Sequence, residues 1–137
     1  MTMNFSFDDS PAFAERVKQK IAEFNWQHWQ GVERLPLGLK LEDDQGQLLA
    51  GLSGRSFGNW LLLDNFWVDS SLRGQGIGER MLNQAECIAR DRGCKWVLLD
   101  TLEFQARPFY QARGYRVEWT QEAYPSSGCK YFMVKAL

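Results

Sequence analysis

Arg73-Gly74-Gln75-Gly76-Ile77-Gly78 sets three alternating glycines behind an arginine, between the apolar run 60–68 (WLLLDNFWV) and the helical pattern 79–90 (ERMLNQAECIAR). Alternating glycines leave successive backbone N–H groups unshielded, and the start of a helix adds partial positive charge. Together they make an anion site, most often for phosphate. A tight turn packed on a helix would need one glycine, and three behind an arginine exceed that need. A dinucleotide fingerprint would place its third glycine at position 79 or 81, which hold Glu79 and Met81. Asp100, at the end of the next strand, is the acidic residue such a fingerprint would want, but the ladder starts too late in the chain for a doubly wound sheet. A P-loop is excluded because no Gly-Lys-Ser/Thr follows.

Outward from this loop the chain reads as a mixed α/β domain. Residues 60–68 are apolar enough for a central strand. They follow a hairpin formed by LGLKLED and QLLAGLSGR around Asp43-Asp44-Gln45-Gly46. Upstream, Ser10-Pro11 gives a cap and a first-turn proline for a helix carrying Phe13, Val17, Ile21 and Phe24. MNFSFD alternates and predicts a short first strand. Downstream of the ladder, Ile77, Met81, Leu82, Ala85, Ile88 and Ala89 make an apolar stripe. Glu79, Arg80, Asn83, Glu86 and Arg90 lie opposite it, and Gly93 stops the helix. KWVLLDT then predicts a buried strand parallel to 60–68, joined to it by that helix. A short helix, ARPFYQAR, ends at Gly114. YRVEW alternates, with Glu118 facing away from Val117 and Trp119, and KYFMVKAL closes the sheet.

Composition narrows the function classes. One domain over 1–137 with 45% hydrophobic residues, six Trp and nine Phe is globular, and a formal charge of −1 gives no bulk attraction for nucleic acid. Cys87, Cys94 and Cys129 are too few and too scattered for a metal site or a disulfide framework. There is no signal-peptide pattern and no apolar run of membrane-spanning length, so a cytoplasmic protein without membrane or nucleic-acid partners is expected, with homodimerisation left open.

The loop and its surroundings resemble the GNAT superfamily of N-acetyltransferases. The family pattern Gln/Arg-x-x-Gly-x-Gly/Ala is met by Arg73, Gly74, Gln75, Gly76, Ile77 and Gly78. Phe109-Tyr110-Gln111-Ala112-Arg113-Gly114-Tyr115 is similar to the aromatic pair that closes the family's short helix. The likeness is strongest over 65–115. It is closer still to small bacterial members with Trp-Val-Asp before the ladder and Thr-x-x-Phe-Gln-Ala-x-x-Phe-Tyr after it, here Trp67-Val68-Asp69 and the run 101–110. Those relatives often carry Gly-His before the last strand, where this chain has Gly128-Cys129.

The resemblance implies a GNAT fold with about seven strands, splayed central parallel strands and flanking helices. It implies acetyl-CoA as cofactor and acetyl transfer to a primary amine by direct attack. The pyrophosphate falls to residues 73–78 and the pantetheine arm to Phe66, Trp67 and Val68, with the Val68 N–H facing the carbonyl oxygen. Glu103 joins the cofactor site by position, where many members have an asparagine. Tyr110 is the implied acid for the departing thiolate, with Phe109 as the better core residue of the pair. Asp64 alternates with Phe66 and Val68, so the spacing puts it on their face as a candidate base. Aromatic residues at 24, 26, 29, 57, 60, 119 and 124, with carboxylates at 64, 103 and 118, suit a small cationic amine as acceptor. A CoA-binding module without turnover and a peptide N-acetyltransferase are the alternatives.

Overall fold

The computed structural model describes residues 1–137, which form two compact units, 1–32 and 33–137. In the first unit, helix α1 spans Pro11–Trp26. Ser10 caps it in extended backbone (φ −71°, ψ 147°), and its Oγ accepts the Phe13 N–H at 3.1 Å. The predicted strand MNFSFD does not form, and residues 1–10 are irregular. Alternation alone does not make a strand; it needs a neighbouring edge to pair with, and no sheet strand pairs with this segment.

The second unit is a six-stranded sheet, one strand fewer than expected. β1 (Arg34–Glu42), β2 (Leu48–Phe57) and β3 (Trp60–Val68) form an antiparallel meander. Helix α2 (Ile77–Asp91) crosses to β4 (Trp96–Leu102), which pairs parallel to β3. The five-residue helix α3 (Arg107–Gln111) leads to β5 (Arg116–Glu122) and β6 (Cys129–Ala136). β6 inserts between β4 and β5, giving the order β1-β2-β3-β4-β6-β5.

Residues directly opposite across paired strands share a face of the sheet. One face carries Leu52, Leu61, Leu63, Val97, Leu99 and Met133, which pack against Leu82, Ala85 and Ala89 of α2 and against Tyr110 and Tyr115. We call this the core face, and its opposite the second face. The stripe on α2 is therefore buried as its spacing predicts, with one exception. Glu86 was expected on the exposed side but is only 2% exposed. Its carboxylate accepts the Tyr115 hydroxyl at 2.8 Å and the Lys135 ammonium at 2.7 Å, so partners from beyond the helix cover it. Burial, then the Glu86 charge, pushes the Tyr115 phenol well up. The far end of α2 is tied by Arg92, which donates to Leu35 O at 3.2 Å, Pro36 O at 3.0 Å and Ser56 Oγ at 3.1 Å.

Besides a register shift between Leu41 and Glu42 of β1, two β-bulges at candidate site residues break the alternation assumed from sequence. On β3, Ser53 opposes Asn65 and Gly54 opposes Leu63, which leaves Asp64 as the extra residue. Leu61, Leu63 and Phe66 consequently share the core face. On β5 the register shifts between Val117 and Trp119, so Glu118 is the extra residue. Val117 opposes Met133 on the core face while Trp119 opposes Phe132 on the second face.

Candidate active site

β3 and β4 pair only through Trp60–Trp96, Leu61–Val97 and Leu62–Leu98. Beyond that point β3 stays bonded to β2 and β4 to β6, but not to each other. The C-terminal halves of the two strands therefore part, and each presents an unpaired backbone edge to the gap. An amide-bearing chain laid in such a gap can bond with either edge, as an added strand would.

The glycine loop stands at one end of this split. Asp69 caps a single 3-10 turn (Ser70–Leu72) by accepting the Ser71 N–H at 3.0 Å, and Ser71 Oγ holds the same carboxylate. These bonds from Ser71 hold the Asp69 carboxyl below its usual range. Gly74 (φ +80°) and Gly76 (φ +77°) adopt the left-handed backbone that favours glycine. Gly76 caps α2 without any side-chain bond, and the first backbone bond of the helix is Arg80 N–H to Gly76 O at 3.1 Å. The N–H groups of residues 74–79 consequently have no acceptor within the protein. A Cβ at Gly74 or Gly76 would meet nothing within 4 Å, so the space over these amides is open. Arg73 and Arg80 are exposed and form no ion pair. Unpaired amides at a helix start, open space above them and two exposed guanidinium groups fit a pyrophosphate.

Gly78 has a different reason to be glycine. A Cβ there would lie 3.3 Å from Phe109 Cζ and 3.8 Å from Phe66 Cζ. Its absence lets the loop, the end of β3 and α3 converge. Phe66 meets Phe109 edge-on at 6.3 Å, and Phe109 meets Tyr110 at 5.3 Å. Arg113 fastens the junction. Its guanidinium lies 3.9 Å over the Phe109 ring, donates to Phe109 O at 2.9 Å and pairs with Glu79 of α2 at 3.3 Å. The spacing of Arg113 four residues after Phe109 was the available signal for this clamp, and sequence reasoning missed it.

Tyr110, not Phe109, is the more buried of the pair, at 7% exposure against a half-buried Phe109. Its hydroxyl forms no hydrogen bond in the protein, and burial, followed by the Asp100 charge, pushes it up to about 12. Asp64 does not share a face with Phe66 and Val68, because the bulge turns it to the second face. There Arg55 Nη1 holds its carboxylate at 2.8 and 2.6 Å. Trp67 opposes Gly51, so it too lies on the second face, 46% exposed. Val68 opposes Ala50. The next N–H, that of Asp69, bonds Leu49 O on the β2 side at 2.9 Å, so alternation turns the Val68 N–H toward the split. Glu103 turns to the final loop, where a Cβ on Gly128 would collide with its Oε1. Cys94 is buried before β4 with its thiol pushed up by burial.

A parallel pair that parts at its C-terminal ends, beside a helix start lined with free amides, defines a protein that binds a phosphate-headed, amide-armed cofactor. The chain matches the acetyltransferase (GNAT) family over residues 4–115, and it belongs to that family. It is 39% identical over 95 residues to a blasticidin-S acetyltransferase of Streptomyces morookaense, covering 69% of this chain and 70% of the relative. It is 30% identical over 115 residues to an acetyltransferase of Agrobacterium fabrum, covering 82% and 84%. A crystal structure of an acetyltransferase from Bacillus cereus superposes over 100% of both chains with a TM-score of 0.85 at 30% identity. This protein is an acetyl-CoA-dependent N-acetyltransferase. No helix is long and apolar enough to cross a membrane.

Proposed function

We propose that the acetyl acceptor is the primary amine of a small cationic molecule, and that Tyr110 is the acid of the reaction. The observation that carries the Tyr110 assignment is its hydroxyl, unbonded within the protein at the tip of an otherwise buried side chain, on the short helix that meets Phe66 at the split. Bound acetyl-CoA supplies the thioester whose acetyl group is transferred. The amides of residues 74–79, with Arg73 and Arg80, hold the pyrophosphate. The free edge of Phe66, Trp67 and Val68 orients the pantetheine arm, and the Val68 N–H donates to the carbonyl oxygen as charge gathers there. Tyr110, kept neutral by burial, would give its proton to the departing sulfur, while the proton shed by the attacking nitrogen would pass to solvent, from which Tyr110 is reprotonated. The Asp64 carboxylate, bonded to Arg55 on the second face, is available only to an acceptor that approaches from that side. A small-molecule acceptor is supported by the similarity to a relative named for blasticidin-S. Release of CoA thiol across a panel of small amines and a panel of peptides tests the reading. Turnover on amines and none on peptides is expected; turnover on peptides alone overturns it.

A further inference from the structure

The second face carries one row of side chains that the reaction described above does not use. Asp100 is the first residue of β4 on this face beyond Leu98, where pairing with β3 ends. Phe132 stands opposite Asp100 across β6, and Trp119 stands opposite Phe132 across β5, brought to this face by the bulge at Glu118. The Trp119 and Phe132 rings stack with centroids 5.2 Å apart and planes at 28°, and Trp119 is 58% exposed. Lys130 Nζ lies 4.2 Å over the Tyr124 ring and 6.0 Å from that of Phe132, so rings at this corner already hold a cation.

The carboxylates near this row are not equivalent. Asp64 is held by Arg55 and Glu118 by Arg116, each in its own ion pair. Asp100 is exposed and has neither a hydrogen bond nor an ion pair. It is also close enough to influence the Tyr110 phenol, which places its charge near the acid of the reaction. One free carboxylate beside a stacked aromatic pair does not match a polyamine, whose several charges need several carboxylates. It matches a single cation attached to something flat.

We propose that Asp100, Phe132 and Trp119 form the acceptor subsite, and that the acceptor is a cationic amine carrying a flat aromatic or heteroaromatic ring. Asp100 attracts the incoming ammonium to the open end of the split while the ring stacks on Trp119, and the nitrogen gives up its proton to solvent before it attacks. This rests on the small-amine reading above and narrows it.

The test uses the full chain at saturating acetyl-CoA with tryptamine and spermidine as acceptors. Asp100→Asn is expected to raise KM for tryptamine about tenfold, with kcat changed only a few-fold. Trp119→Leu is expected to raise KM for tryptamine about tenfold and to change KM for spermidine far less. Both variants should keep the full thermal shift with acetyl-CoA, which shows that fold and cofactor site are intact. An unchanged tryptamine KM in either variant overturns the subsite. Absence of turnover on every amine would instead sink the small-amine reading. Calorimetric titration of tryptamine into the CoA-loaded protein then decides the subsite: binding that is lost in Trp119→Leu upholds it, and no binding to the unsubstituted protein overturns it.

Discussion

Gly76→Val tests the glycine loop separately from the rest of the fold. Gly76 has φ +77° and nothing within 4 Å of a Cβ, so valine has room and its cost is backbone strain. For an L-residue in the left-handed region that strain is about 1–2 kcal/mol. The same side chain stands over the free amides of residues 74–79, the proposed seat of the pyrophosphate. At acetyl-CoA a hundredfold above Kd, the unsubstituted protein gains about 2.7 kcal/mol. For a chain of this length that raises Tm by roughly 10 °C. A complex weakened a hundredfold keeps only about 0.4 kcal/mol at the same concentration, or roughly 1–2 °C. Gly93 supplies the control, with φ +86° and equally empty space at the opposite end of α2. Scanning fluorimetry should show Gly76→Val and Gly93→Val losing a similar few degrees without ligand. Only Gly76→Val should lose the acetyl-CoA shift. A full shift in folded Gly76→Val refutes the reasoning, and loss in both variants assigns the effect to strain.

Tyr110→Phe should lower kcat about 10–100-fold and leave KM for acetyl-CoA unchanged, because the hydroxyl is needed only as sulfur departs; steady-state kinetics with an equal kcat would return Tyr110 to a packing role. With its hydroxyl pushed up to about 12, the native protein keeps a proton that the unfolded chain sheds near ~10. The stability linked to Tyr110 is therefore full below ~10 and declines as pH rises toward that higher value, and kcat should show no falling limb near ~10. Urea midpoints and a pH–rate profile check the two. Glu86→Ala leaves the buried Tyr115 hydroxyl and the mostly buried Lys135 ammonium unpartnered, at a cost of about 3 kcal/mol in urea unfolding; a loss under ~1 kcal/mol would mean that water replaces the carboxylate.

What was legible in the sequence was whatever a single segment decides for itself. The apolar stripe of α2, the Ser10 cap, the hairpin at Asp43–Gly46 and the glycine stops at Gly93 and Gly114 each depend on local spacing or local backbone. The open amides of the glycine loop were legible for the same reason, because amides exposed by glycine are a property of six consecutive residues. Partners distant in sequence decided the rest. Glu86 looks like a surface residue until Tyr115 and Lys135 arrive over it. A five-residue helix is too short to define a face, so the choice between Phe109 and Tyr110 had no periodicity to rest on. Asp64 and Glu118 looked like ordinary alternating strand residues, and only cross-strand register reveals them as bulges.

The bulge at Asp64 lies where the split begins. A bulge raises the local right-handed twist of its strand. This one begins two residues after Leu62, the last residue of β3 to pair with β4. β3 follows β2 away from β4 from that point, and the gap opens on the side where the glycine loop begins. Deletion of Asp64 would restore regular alternation, with Leu61, Leu63 and Phe66 still on the core face and Asn65 on the second. β3 could then continue its pairing with β4 past Leu98. The deletion protein should fold with an unchanged or higher urea midpoint and lose the thermal shift with acetyl-CoA. Asp64→Gly keeps the extra residue, and so the twist, while removing the carboxylate bound to Arg55. It should retain the shift. A full acetyl-CoA shift in the folded deletion protein would show that the strands part for another reason, and loss of the shift in Asp64→Gly would show that the ion pair, rather than the bulge, holds the split open.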